Sequence, residues 1–174
     1  MSVVFTVGHS TRSLDEVVGM LRENHVDALV DIRSFPSSRR LPQWNQDAIR
    51  AGLPPDIGYR WLPELGGRRH TPAGVAGPNG FWRVQAFRAY ADYMATPPFA
   101  DGLRTLEQLA ADGRPAIMCS EAVPWRCHRR LVTDALLVDG VEVFDILSET
   151  SVRPAVLTPA ARVVDGHLEY PPES

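Results

Sequence analysis

Lysine is absent. All 18 basic residues of this 174-residue chain are arginine, so it offers no lysine for a Schiff base or for general-base work. Long apolar runs are missing too. None approaches the roughly 20 residues of a membrane helix, so no span and no membrane partner are expected. The first apolar stretch, residues 3–7, is too short for the core of a secretion signal and has no basic flank, so none is expected. Two cysteines do not make a disulfide framework, and a reducing cytoplasm is the expected compartment. Positive charge is not in excess: 21 acidic residues against 18 basic give a net charge of −3. Extended nucleic-acid binding rests on neutralising many phosphates and is therefore not expected. The sequence carries no repeat, no low-complexity block and no linker.

The apolar pattern alternates between strands and helices. Residues 3–7 read as a buried strand feeding Gly8-His9-Ser10. Ser13-Leu-Asp-Glu16 is a capping box, followed by a helix with Leu14, Val17, Val18 and Leu21 on one face. Residues 28–32 form a second strand, which completes a βαβ unit. A short helix is expected over 46–51 and a third strand over 59–62. A long irregular segment, 63–81, is rich in Gly, Pro and Arg. Two helices are expected over 84–94 and 98–112, and a clear buried strand over 115–119. A helix over 128–138 should stop at Asp139-Gly140, with a last strand over 141–146. The expectation is an α/β fold, a single domain with a mostly parallel sheet of about four to five strands and helices on both faces. Residues 1–147 carry the loop site. Residues 148–174 form a proline-containing tail packed on the same domain, with a hairpin through Asp165-Gly166.

In such folds, sites form beyond the carboxyl ends of the strands. That edge gathers the loops after Val7, Ile32, Leu62 and Met118, and the polar motifs lie on these loops. The fourth loop, Cys119 to Arg130, joins a strand to a helix N-terminus, where free N–H groups and the helix dipole favour anions. The same setting favours thiolate over thiol, which makes Cys119 a candidate nucleophile. Its plainer reading is a small apolar residue at a strand end. The loop loosely resembles the cysteine-plus-arginine phosphate loops of rhodaneses and protein tyrosine phosphatases. Those place five residues between Cys and Arg, whereas six separate Cys119 from Arg126 here, and Glu121 sits among them. Glu121 is a candidate general base, or a partner for Arg126 or Arg129. Cys119, Cys127 and His128 could also ligate a soft metal, at a spacing that is poor for zinc, or the two cysteines could form a redox pair.

Asp31 lies in an apolar strand, where a carboxylate needs a partner. An arginine from another loop is expected, and Asp31 would then orient His9 or that arginine. His9 is either an acid/base group or a hydrogen-bonded structural residue. The third loop, Leu62-Pro-Glu64-Leu-Gly66-Gly67-Arg68-Arg69, places two arginines after a flexible turn, with Glu64 beside it. Arg33, Arg68, Arg69, Arg126 and Arg129 are the candidate anion-binding groups. Interleaved aromatics either stack on a base or pack under the loops.

Four ordered segments carry a family likeness. They are Thr6-Val-Gly-His-Ser, Leu29-Val-Asp-Ile-Arg-Ser-Phe-Pro, Leu62-Pro-Glu-Leu-Gly-Gly-Arg-Arg, and Cys119-Ser-Glu with Cys127-His-Arg. Together they resemble the domain-of-unknown-function family 488 over about residues 4 to 147. The family typically reads Cys-Ala-Glu where this chain has Ser120, and Ser where it has Arg130. The resemblance implies a bacterial-type cytoplasmic α/β protein whose motifs form one site, and it supplies no reaction. The chemistry of the residues points first to an enzyme, a Cys- or Glu-dependent hydrolase or transferase acting on a phosphorylated or nucleotide-like small molecule. A non-catalytic nucleotide or nucleic-acid binding module and a small Cys/His metal-binding protein are the alternatives. No cofactor is required by the sequence, and it does not fix the oligomeric state.

Overall fold

Alternation between two buried faces governs the central strands. In β1 (Val3–Gly8), Val4 packs to one side and Phe5 and Val7 to the other. β2 (Ala28–Asp31) and β4 (Pro115–Cys119) behave alike: Val30 and Ile117 face one way, Leu29, Ala116 and Met118 the other. Strands apolar on both faces belong in the middle of a covered sheet. The computed structural model describes residues 2–70 and 77–173, and it builds that sheet.

Six strands lie in the order β3-β2-β4-β1-β5-β6, with β3 (Gly58–Trp61) at one edge, then β5 (Glu142–Ser148) and β6 (Ser151–Pro154) at the other. The first five in sequence run parallel, and β6 returns antiparallel to β5. The sheet is thus larger than the four to five strands expected from sequence. β6 has four residues, mostly exposed and ending in Pro154, which is an edge-strand composition that leaves no apolar alternation to read.

The helices divide by face. α1 (Leu14–Glu23) and α2 (Gln46–Gly52) bury Val17, Leu21 and Ile49 against Phe5, Leu29 and Met118. α3 (Gln85–Tyr93), α4 (Pro97–Asp112) and α5 (Arg129–Val138) bury Tyr90, Leu106, Leu131 and Leu136 against Val4, Val30 and Ile117. The expected capping box is present: the Ser13 hydroxyl accepts from Glu16 N–H at 3.1 Å, and Glu16 accepts from Ser13 N–H at 3.2 Å. α5 stops before Gly140, whose φ of 84° suits glycine.

β1 and β4 are neighbours, yet the chain leaves β1 toward α1 on one face and leaves β4 toward α5 on the other. This is a topological switch point, where departing loops diverge and leave a crevice at the carboxyl edge. The tail adds β7 (Arg162–Val164) and β8 (His167–Glu169). They are joined by Asp165 and Gly166 at φ 49° and 80°, the expected tight hairpin. Tyr170 donates to buried Asp134 of α5 at 2.8 Å, and Thr158 N–H donates to the other oxygen of that carboxylate at 2.9 Å, which ties the tail to α5. Of the irregular segment 63–81, residues 71–76 lie outside the described residues. Its start, Pro63–Leu65, is a 3-10 turn.

Candidate functional site

A cavity of about 420 Å³ opens at the switch point. All four strand-end loops reach it: His9 follows β1, Arg33 and Phe35 follow β2, Gly67 and Arg68 follow β3, and Cys119, Glu121, Arg126, Cys127 and His128 follow β4. Gly8 lets this happen. A side chain there would collide with the Glu121 carbonyl, because the end of β1 runs against the fourth loop.

One wall is a buried polar assembly around Asp31, which is fully buried. Its carboxylate accepts from Arg33 N–H at 3.1 Å, Arg33 Nε at 2.9 Å and Arg33 Nη2 at 2.7 Å. It also accepts from Tyr59 O–H at 2.6 Å. The partner expected from another loop is therefore Arg33 itself. The strand ends at Asp31, so the chain turns and brings the guanidinium two residues on back over the carboxylate. Arg33 also donates to the Trp44 carbonyl at 2.8 Å and approaches His9 Nε2 at 3.4 Å. His9 stacks on Trp44 with ring centroids 4.6 Å apart, and its Nδ1 donates to the Ser10 carbonyl at 2.9 Å. That bond fixes the tautomer with the Nε2 lone pair toward Arg33. Burial pulls the His9 pKa down to about 4. Both ring nitrogens are engaged, so His9 holds the wall together.

The opposite wall is sulfur. Cys119 and Cys127 are paired as a disulfide, with their Cα atoms 7.3 Å apart. The redox pair is one of the readings of the sequence, beside a lone Cys119 nucleophile and a metal site. The fourth loop folds back through a 3-10 turn, Pro124–Arg126, and closes the gap. Arg129 binds both. Its backbone N–H donates to Cys127 Sγ at 3.4 Å, and its Nη1 donates to Cys119 Sγ at 3.3 Å and to the Glu121 carbonyl at 3.2 Å. Arg129 is fully buried, and its Nε has no hydrogen-bond partner among the described residues. Burial lowers its pKa to about 10, with the field of Asp145 opposing. No carboxylate lies within ion-pair reach of it among the described residues.

His128 completes this wall. Nε2 donates to the Ile32 carbonyl at 2.8 Å, so Nδ1 carries a lone pair, and it faces Cys127 Sγ at 3.5 Å. Burial is the main cause that lowers the His128 pKa to about 4. Gly67 makes room for it, since a Cβ there would lie 2.5 Å from Nδ1.

The remaining candidates separate. Arg68 and Arg126 are exposed at the cavity, and Arg68 stacks over Phe35 at 5.3 Å. Glu121 is exposed at the same rim. Arg69 faces elsewhere: it donates to the Gly66 and Pro63 carbonyls at 3.1 and 2.8 Å and covers the Tyr93 ring at 3.7 Å. Glu64 supports the same turn, its carbonyl accepting from Tyr93 at 2.6 Å. Gly66 packs on Ser34, whose hydroxyl accepts from Arg68 N–H at 2.8 Å. Cys119 and Cys127 are joined to each other and His128 Nδ1 lies beside Cys127, but among the described residues no group of three or more His, Cys, Asp or Glu is arranged to hold an ion. Sequence reading missed Tyr59 as the second partner of Asp31, and Ser34 and Phe87 as parts of the cavity. Tyr59 lies on an edge strand with little burial pattern, and Phe87 comes from a helix on a different loop.

A family model described as Domain of unknown function DUF488 matches residues 13–136. The chain belongs to the DUF488 family. The match spans α1 to α5 and includes both cysteines, Arg129 and the Asp31–Arg33 pair. It leaves His9 and β5 outside, within the broader stretch over which the motifs suggested the resemblance. No curated protein and no solved structure matches the chain. No helix among the described residues is long and apolar enough to cross a membrane.

Proposed function

We propose that the switch-point cavity is the active site of a thiol-dependent enzyme acting on a phosphorylated or nucleotide-like small molecule in the cytoplasm. The observation that carries this reading is the co-location of two cysteines, a fully buried arginine on their sulfurs and two exposed arginines around one small cavity. A volume of about 420 Å³ suits a small ligand. Among the described residues, Arg68 and Arg126 are the exposed cations at the cavity for its anionic group, and Phe35 offers an exposed ring to a base. Arg129 serves the sulfurs and Arg33 serves Asp31, so neither is left to hold the ligand. Reduced Cys119 or Cys127 is the nucleophile. The Cys127 thiol ionises to solvent, and the Arg129 N–H against its sulfur steadies the thiolate. Glu121 at the rim favours a ligand that pairs its anion with a donor, such as an amino group of a base.

Titration calorimetry of the reduced protein with adenosine monophosphate and with inorganic phosphate tests the reading. Arg126→Ala and Arg68→Ala should each weaken binding about tenfold or more, as expected for a charge-assisted hydrogen bond. Absence of binding by both ligands, or affinity indifferent to both substitutions, rejects it. The binding-module alternative draws on the Phe35–Arg68 stack alone. It requires that replacing both cysteines by serine leave affinity intact and that no ligand be turned over.

A further inference from the structure

The two sulfurs need not act one at a time. They meet in the same cavity wall, but their surroundings differ. Cys119 lies deep at the end of β4, with the guanidinium of buried Arg129 at 3.3 Å. Cys127 stands at the start of α5, its sulfur against the Arg129 N–H at 3.4 Å and His128 Nδ1 at 3.5 Å. One sulfur thus has a fixed positive charge beside it, and the other has a backbone N–H donor and a neutral imidazole.

We propose that Cys127 and Cys119 are the attacking and resolving thiols of a thiol–disulfide exchange reaction, whose substrate is a disulfide of a phosphate- or nucleotide-bearing thiol. The choice of that substrate rests on the anion-site reading above. In the reduced protein, Cys127 loses its proton to water, its thiolate accepts from the Arg129 N–H, and it attacks one sulfur of the substrate. The substrate S–S bond breaks, its distal half leaves as a thiolate and is protonated, and a Cys127–substrate mixed disulfide forms. The Cys119 thiolate, held by Arg129, then attacks Cys127 Sγ. The mixed disulfide breaks, the second substrate thiolate leaves, and the Cys119–Cys127 disulfide forms. The substrate gains two electrons and becomes two thiols, and the protein dithiol is oxidised. An external dithiol reductant restores it by the reverse exchange, attacking Cys127 and expelling Cys119. Departure of Cys119 is favoured because the buried guanidinium stabilises it as a thiolate. The arginines at the rim hold the anionic part of the substrate.

The test uses the full chain with coenzyme A disulfide, and with bis(2-hydroxyethyl) disulfide as the neutral control. By intact mass and peptide mapping, C119S should accumulate a stable mixed disulfide at Cys127. C127S should accumulate at least tenfold less at Cys119 in the same time. Wild type equilibrated in thiol–disulfide buffers should pass from two alkylatable thiols to none, and the anionic disulfide should react at least tenfold faster than the neutral one. Trapping equally at both cysteines overturns the assignment of roles. A wild type that keeps both thiols in every buffer overturns the exchange itself, and does not depend on either variant folding. Equal rates for the two disulfides overturn the substrate class. If adenosine monophosphate and phosphate fail to bind while trapping occurs with both disulfides, the anion-site reading falls and the exchange chemistry stands.

Discussion

Replacing Asp31 by asparagine removes a charge and keeps a shape. The carboxylate is fully buried and accepts four hydrogen bonds, three from Arg33 and one from Tyr59. Arg33 is itself 8% exposed, so the substitution leaves a cation in the interior with no carboxylate partner. Breaking one side of a buried pair costs about 3–5 kcal/mol. For a domain of this size, each kcal/mol lowers the melting temperature by roughly 2–4 °C, so a fall of roughly 6–20 °C is expected. Urea unfolding followed by circular dichroism measures the free energy directly. The Asp31→Leu/Arg33→Met double variant should recover most of the loss, because it removes both charges together. A single-variant loss below about 1 kcal/mol would refute the reasoning, since an exposed pair behaves that way. So would a double variant no more stable than the single one.

Buried His9 and half-buried His128 make the fold acid-sensitive. Their pKa values are held at about 4 against 6.5 when unfolded, so between those values the unfolded chain binds protons that the folded chain does not. Stability is complete above about pH 6.5 and falls as pH drops toward 4, with a combined slope approaching 2.7 kcal/mol per pH unit, or about 1.4 for each group. Denaturant midpoints at pH 7.5 and 5.0 check this, and equal midpoints would contradict it. Gly67→Ala sets a methyl group 2.5 Å from His128 Nδ1. It should cost about 1–3 kcal/mol by overpacking and should slow alkylation of reduced Cys127, read by denaturant titration and peptide mass spectrometry. Ser13→Ala removes the capping box of α1 and should cost about 1 kcal/mol in the same unfolding assay, without changing cysteine reactivity.

Much of the fold was legible because its signals are local. The capping box at Ser13, the apolar strands at 28–32 and 115–119 and the Asp139-Gly140 stop each depend on neighbours in sequence, and each lies where the pattern placed it. Strand β6 was not legible, because an exposed edge strand that ends in proline carries no core face. The loops of the site were legible through topology, since strands that alternate with helices deliver their carboxyl ends to one edge. The partners inside the site were not. That Arg33 folds back on Asp31, that Arg69 serves its own turn while Arg68 and Arg126 stay exposed at the cavity, and that the seven residues between them bring Cys127 onto Cys119 are facts of loop conformation. Composition and periodicity do not encode loop conformation. The same gap left His9 open between an acid/base group and a hydrogen-bonded structural residue, a choice that Ser10 and Arg33 settle only by their positions at its two nitrogens.

The most direct test of the account is the alkylation of the two cysteines in the reduced, folded protein, followed residue by residue with and without adenosine monophosphate. The account expects both thiols to react under native conditions, Cys127 more readily, and the nucleotide to protect them in proportion to its occupancy of the cavity. Thiols that stay inert until the protein is denatured would make the pair a packing feature and would contradict a thiol-dependent active site at the switch point.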